Sequence, residues 1–325
     1  MKIVFHGSNV ANFRPGFAEL LDAEHTIVDL SDALDQPGEP EHYQTAEVIV
    51  GIKLNAQMPA PRSVRLFHAP AAGIDAIDAA WLPRGATLCN AFGHEHAIAE
   101  YVFAALLQRH VPLATADADL RQQRWTYWAG RPGALRTELG EQTLGLLGYG
   151  HIAKAIAQRA KAFGMTVHAA NRSAVSDARV DRSFGLNDLP AFLGSVDALV
   201  CTLPLTPQTA GLVGARELAT MRADALIVNV GRGPVIDEQA LYDALAQGRI
   251  GGAIIDTWYQ YPTPQQPECA PSKLAFDKLA NVLMTPHMSG WTSGTVRRRQ
   301  QTMADNIRRL AEGRPLLNTV ASAGA

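Results

Sequence analysis

Two side chains in the last third of the chain could act together on one small polar molecule. Arg232 lies between two glycines in "VNVGRGPVID", and His287 lies in "TPHMSG". A guanidinium grips a carboxylate through two parallel N–H donors and polarises an adjacent carbonyl. An imidazole, with an ordinary pKa of about 6.5, is the usual carrier of a proton at neutral pH. Between them runs "DTWYQYP", Asp256 to Pro262, with one acid and three aromatics, and the next carboxylate is Glu268. A proton-carrying imidazole calls for a neighbouring acid, and this stretch raises the question of what takes that place. No His, Cys or Asp cluster has metal-ligand spacing and no G-x-S-x-G elbow occurs, so no metal is expected. The other nine histidines, His94 and His96 among them, read as structural.

A second constellation points to a dinucleotide. "TLGLLGYGHIAKAIAQRAKAFG" places Gly148, Tyr149, Gly150, His151 and Ile152 between a strand-like run and a helix-like one. Gly148 permits a tight turn, Gly150 lets the backbone approach a pyrophosphate, and Ala153 is small where helix meets strand. The helix N-terminus then offers its dipole to the phosphates. The next strand ends in "VHAANRS". An NAD site wants an acid about 20 residues beyond the glycines, for the ribose hydroxyls. Here Asn171 is an amide, and Arg172 and Ser173 can donate to a phosphate, which favours NADP while leaving NAD possible.

Elements of an α/β fold must position these groups. Short apolar runs ("KIVF", "HTIVDL", "AEVIVGI", "VRLFHA", "ATLCN", then "TLGLLGYG", "MTVHAAN", "VDALVCTLP", "DALIVNVGRG", "GGAIIDTW", "NVLMTPH") alternate with helix-period or Pro/Gly-rich sequence. Residues 94–109 read as one long buried helix. Apolar strands separated by crossovers predict parallel sheets covered on both faces. The residues just past the second-half runs are Gly148/Gly150, Asn171/Arg172, Pro204, Gly231/Arg232, Asp256 and His287. Ligands of open α/β sheets bind at this rim.

At 325 residues the chain is long for one domain and fits two. With 47% apolar and 18% charged residues it can bury cores. A formal charge of −2 argues against nucleic acid or anionic membrane as partner. Cys89, Cys201 and Cys269 fit neither a disulfide framework nor a zinc site, and suit a reducing compartment. The opening "MKIVFHG" holds no signal-peptide core, and no apolar run approaches ~18 residues. The expectation is a soluble, cytoplasmic protein.

Together "GYGHIA", "CTLPLTPQTAGL", "NVGRGPVIDEQAL", "IDTWYQYP" and "TPHMSG" resemble the D-isomer-specific 2-hydroxyacid dehydrogenase family. That family includes glyoxylate/hydroxypyruvate reductases, D-3-phosphoglycerate dehydrogenases and formate dehydrogenases. The resemblance implies two Rossmann-like or flavodoxin-like domains. Residues 1–95 and 290–325 would form a discontinuous substrate domain, with the cofactor domain, 96–289, inserted between them. It also implies that Arg232 binds the substrate carboxylate and carbonyl oxygen, that His287 is the acid/base, and that Asp256 holds the nicotinamide carboxamide. Backbone around Gly73 and Ile74 in "APAAGIDAID" would complete the carboxylate site, with Lys53 and Ser289 near it. Pro204, Thr209, Val230 and Gly231 would join the cofactor site. Homodimers through the cofactor domain are implied, with Trp125 and Trp128 as candidate contacts.

The departure from the pattern lies at Tyr261. Relatives read D-V-F-x-x-E-P where this chain reads D-T-W-Y-Q-Y-P, so a phenol replaces the Glu that pairs with the histidine. Formate dehydrogenases carry Gln there and share the Ser-Gly after the histidine, here Ser289-Gly290. A phenol orients the ring without adding countercharge. His287 is therefore expected to be mostly neutral at about pH 7.5, with ketoacid reduction weakening as pH rises through a low apparent pKa. Glu268 is an alternative partner for the ring. The expected function is interconversion of a small 2-ketoacid and the D-2-hydroxyacid, with NADPH preferred (EC 1.1.1.-) and Arg232, His287 and Tyr261 as the candidate catalytic set. Oxidation of formate and dinucleotide sensing without turnover are the alternatives.

Overall fold

The first five apolar runs become strands β1 (Lys2–His6), β2 (Thr26–Leu30), β3 (Val48–Gly51), β4 (Leu66–His68) and β5 (Thr87–Cys89), with helix α1 (Glu39–Thr45) before β3. These belong to a computed structural model that describes residues 1–263 and 266–323. Chain contacts divide it into two units, one of Met1–Gly93 with Thr292–Ala325, the other of His94–Trp291.

In the first unit the five strands are parallel in the order β5-β4-β3-β1-β2. Ile3, Val4, Phe5 and Val48 to Val50 are all buried, which is why central strands covered on both faces read as unbroken apolar runs. Edge strand β2 exposes Thr26 and Asp29. A sixth strand, Thr319–Ser322, pairs antiparallel with β5. The alternating pattern did not announce it, because this edge strand leaves Thr319, Val320 and Ser322 exposed and carries no apolar run. The preceding helix, Ser293–Ala311, buries Met303, Ala304 and Ile307 at helical spacing. On the same face Asn306 donates to Nε2 of His68 at 3.0 Å and accepts from Leu317 N at 2.7 Å. His68 Nδ1 donates to Ala69 O, and complete burial pushes its pKa down to about 4. This histidine is structural.

The second unit opens with α2 (Glu95–His110) and α3 (Leu113–Arg121), then runs through β6 (Thr143–Leu147), α4 (His151–Ala162), β7 (Thr166–Asn171) and β8 (Arg182–Gly185). It continues with α5 (Leu189–Leu193), β9 (Ala198–Cys201), α6 (Ala215–Leu218), β10 (Leu226–Asn229), α7 (Glu238–Ala246), β11 (Gly252–Ile255) and β12 (Val282–Met284). All seven strands are parallel, in the order β12-β11-β10-β9-β6-β7-β8. Only Phe184 of edge strand β8 is buried, so that strand too lacked a legible pattern. α2 packs with α4 in one core, where Ala153, Ala157 and Ala160 allow close approach, but it is not buried all round as expected: His96, Glu100, Ala104 and Gln108 are exposed along one side. The order reverses between β6 and β9, and a crevice opens beyond the strand ends at such a switch point.

Candidate active site

The β6–α4 turn is built on backbone that glycine adopts readily. Gly148 has φ 87°, and its N–H donates to Ala170 O at 2.8 Å. A Cβ at Gly150 would meet no atom within 4 Å, so the backbone lies open there, and no side chain caps the start of α4. An open cradle at the uncapped N-terminus of a three-turn helix fits a pyrophosphate. Ala153 is fully buried, Ile152 is half-buried and His151 is exposed. Tyr149 N donates to Oδ1 of Asn171 at 3.4 Å, and Nδ2 of Asn171 donates to Ser173 O. Arg172 and Ser173 are exposed at this strand end. The Tyr149 hydroxyl lies by Asp177 and Arg179; burial, with the Asp177 charge, pushes its pKa up to about 12. Arg179 holds the Asp177 carboxyl well below the ordinary range, Nε to Oδ1 being 2.8 Å.

The neighbouring loops are braced by their own chain. Thr209 is buried, donates Oγ1–H to Pro204 O at 2.7 Å and accepts from Thr206 N. Val230 is buried, and its N–H reaches Cys201 O. Asn229, not singled out from the sequence, is the brace of the Arg232 loop. Its amide donates to Arg232 O at 3.1 Å and accepts from Gly231 N at 3.2 Å. A lone amide ending the apolar run "ALIV" was the signal that could have found it. The glycines beside Arg232 stand where no side chain fits. A Cβ on Gly231 would stand 2.7 Å from Leu203 O, and one on Gly233 would stand 2.5 Å from Trp258 O. They permit backbone to press on backbone. Arg232 is half-buried, and its Nη1 donates to Gly231 O at 2.9 Å.

His287 follows β12 in a strained backbone, φ 56°, a left-handed conformation that non-glycine residues seldom adopt. The strain has a visible counterweight. Met288 N and Ser289 N both point into the Asp256 carboxylate, each at 2.9 Å, and Thr285 Oγ1 donates to it at 2.6 Å. Successive N–H groups around a left-handed residue form a nest for an anion, and Asp256 is that anion. Asp256 is 0% exposed and gives both oxygens to its own chain. These bonds hold the loop that carries His287. Tyr101 extends the brace: its hydroxyl lies 2.7 Å from Thr285 Oγ1. Because the Thr285 proton is committed to Asp256, the Tyr101 proton points to Thr285.

The ring of His287 has a partner. Nδ1 lies 2.9 Å from the Tyr261 hydroxyl, which also accepts from Trp258 N at 3.0 Å. Trp258 is itself pinned, with Nε1 donating to Thr285 O at 2.8 Å and its ring packed edge-on against Phe276. Tyr259 stacks on Phe276 and donates to Ile236 O, so it belongs to the core and not to a pocket wall. Glu268 is exposed, and the Nδ1 position is held by Tyr261. Burial lowers the His287 pKa and Arg232 lowers it further, against an opposing pull from Asp256. Burial raises the Tyr261 pKa, with Trp258 N–H and Arg232 opposing. The Arg232 charge thus acts on both rings, and guanidinium, imidazole and phenol form one cluster. Ser289, expected near substrate, is buried and is held through its N–H.

In the first unit Gly73 and Ile74 are half-buried, and Ile74 O accepts from Ile77 N at 2.9 Å. Lys53 is exposed, and its charge acts on His6. No group of three His, Cys, Asp or Glu among the described residues could hold a metal, and no described helix is long and apolar enough to cross a membrane.

Residues 103–289 match the family model described as D-isomer specific 2-hydroxyacid dehydrogenase, NAD binding domain. The chain belongs to this family. Within it, the chain is 33% identical over 269 residues to a glyoxylate reductase from Aeropyrum pernix, covering 80% of this chain and 77% of that one. It is 28% identical over 282 residues to a D-3-phosphoglycerate dehydrogenase from Archaeoglobus fulgidus, covering 86% of this chain but 51% of that protein. The chain therefore spans about half the length of such relatives. Among solved structures, a D-isomer specific 2-hydroxyacid dehydrogenase from Xanthobacter autotrophicus in complex with NADPH and MES shares 27% identity. Its TM-score is 0.80, with 98% of this chain and 97% of that chain covered. The likeness spans both units and confirms two parallel-sheet α/β domains.

Proposed function

We propose that this chain is an NAD(P)-dependent oxidoreductase that interconverts a small 2-ketoacid and the D-2-hydroxyacid, with NADPH preferred. The observation that carries the reading is the cluster of Arg232, His287 and Tyr261 at the ends of neighbouring strands. A guanidinium there binds a carboxylate and steadies charge growing on a carbonyl oxygen, while an imidazole hydrogen-bonded at Nδ1 is left with Nε2 for proton exchange. The bound nicotinamide supplies or takes the hydride. Gly148, Tyr149, Gly150, His151 and Ile152 would hold the pyrophosphate, with Pro204, Thr209, Val230 and Gly231 lining the same rim. Asp256 contributes by holding the loop that carries His287. Asn171 in place of an acid, with exposed Arg172 and Ser173, supports NADP, and so does the NADPH in the Xanthobacter relative. Gly73, Ile74 and Lys53 of the first unit are further candidates for substrate binding. The glyoxylate reductase relative supports a small substrate. The protein would act as a cytoplasmic homodimer.

One panel tests this: glyoxylate, hydroxypyruvate, pyruvate and phenylpyruvate with NADPH or NADH, and formate with the oxidised cofactors. Turnover of a ketoacid, faster with NADPH, is expected. Formate oxidation alone, or tight cofactor binding without turnover, would replace the reading with one of its two alternatives.

A further inference from the structure

The hydrogen bonds around Tyr261 determine more than a ring orientation. Its oxygen has two hydrogen-bond partners among the described residues, Trp258 N at 3.0 Å and His287 Nδ1 at 2.9 Å. An amide N–H can only donate, so the phenol accepts there. The phenol has one proton, and among the described residues the acceptor within its reach is Nδ1. With the phenol donating to Nδ1, neutral His287 carries its own proton on Nε2. A carboxylate partner would impose the reverse, since a carboxylate only accepts and draws the proton to Nδ1.

We propose that Tyr261 sets this tautomer and is the source of the proton that His287 delivers, an inference that rests on the reductase reading. As the ketoacid carbon takes up hydride, which a bound reduced nicotinamide would supply, the C=O π pair moves onto oxygen. That oxygen takes the proton from Nε2, whose bonding pair stays on the imidazole. In the same motion the Tyr261 O–H breaks, and its proton goes to Nδ1. The ring ends neutral, with the proton now on Nδ1, and the charge rests on a phenolate. The Trp258 N–H and the Arg232 guanidinium stabilise that phenolate, and solvent reprotonates the pair afterwards. Tyr261 works through the ring and is a positioning and proton-feeding residue; His287 remains the group that touches substrate.

This revises the pH dependence expected from the residues alone. The charged groups facing the ring within its unit are Asp256 and Arg232, with Tyr261 the third titratable neighbour. Imidazolium is lost as pH rises through a His287 pKa that burial and Arg232 set below the ordinary value. An imidazolium donor would fade there. The neutral Tyr261–His287 pair persists until the phenol ionises, and burial moves that ionisation above its ordinary value of about 10.

Nitrogen NMR of histidine-labelled protein reads the tautomer without turnover, with the His287 signals identified by their absence in His287→Gln. The wild type at about pH 8 should show a protonated Nε2 and a bare Nδ1. Tyr261→Phe should mix the tautomers, and Tyr261→Glu should invert them. A wild-type proton on Nδ1, or a spectrum unmoved in Tyr261→Phe, overturns the proposal. In rate profiles, wild-type reduction should stay flat from about pH 6.5 to about pH 9, while Tyr261→Phe falls through a low pKa. A wild-type rate that falls as pH rises between about pH 6.5 and about pH 9 would overturn the relay. Failure to turn over any ketoacid, with the wild-type proton on Nε2, would overturn activity and relay together while the tautomer assignment stands.

Discussion

On the proposed function, Arg232 and Tyr261 divide the work of the site. The guanidinium is fixed and planar, and its value lies in geometry as much as charge. Arg232→Lys keeps the positive charge but loses the paired donors. It should lower kcat/KM for a ketoacid by about 100-fold while leaving the melting temperature nearly unchanged. Steady-state kinetics beside a thermal melt check both halves, and an equal loss of stability would assign Arg232 a structural role instead. Tyr261 differs from the carboxylate of its relatives in having a proton to give. It was legible as a departure from pattern, but its effect on Nδ1 emerged only when the Trp258 N–H took up the other side of its oxygen.

At the scale of elements, the segment from Thr285 to Ser289 stores strain that serves the site. His287 sits at φ 56° because the Asp256 carboxylate gathers the two N–H groups that follow it. Glycine relaxes such a conformation, so His287→Gly should stabilise the protein by about 1 kcal/mol while abolishing ketoacid reduction. Denaturant unfolding of the two proteins measures the difference, and a destabilised variant would mean that the ring, not the backbone, anchors the loop. The end of β7 carries another such trade. Asn171 is tied to Tyr149 N and Ser173 O, and on the proposed function the exposed Arg172 is left to meet a phosphate. Arg172→Ala should raise KM for NADPH about 10-fold with little change for NADH. Equal effects on both cofactors would reject Arg172 as the discriminating residue.

At the scale of the whole molecule, the segment after α3 leaves apolar side chains in solvent. Trp125, Trp128 and Leu135 are 60%, 61% and 97% exposed. If a second copy covers this face, sedimentation should show a dimer, and Trp125→Ser with Trp128→Ser should shift it toward monomer. A monomeric wild type would refute that contact. The sequence by itself determined the parallel α/β class, the glycine turn after β6 and the delivery of Arg232 and His287 to strand ends. Those are local facts, carried by apolar periodicity and by motifs whose members lie a few residues apart. Only the tertiary structure decided that Thr319–Ser322 closes the first sheet against β5, that Gly231 and Gly233 exist for backbone contact, and that Asp256 spends its oxygens on the His287 loop. The meeting of Tyr261 with a ring 26 residues away was expected from the family resemblance, but only the structure put the Trp258 N–H on the same phenol oxygen. Each of these depends on which distant segments meet and on how many hydrogen bonds an atom there can still make, and neither is written in the order of residues along one strand.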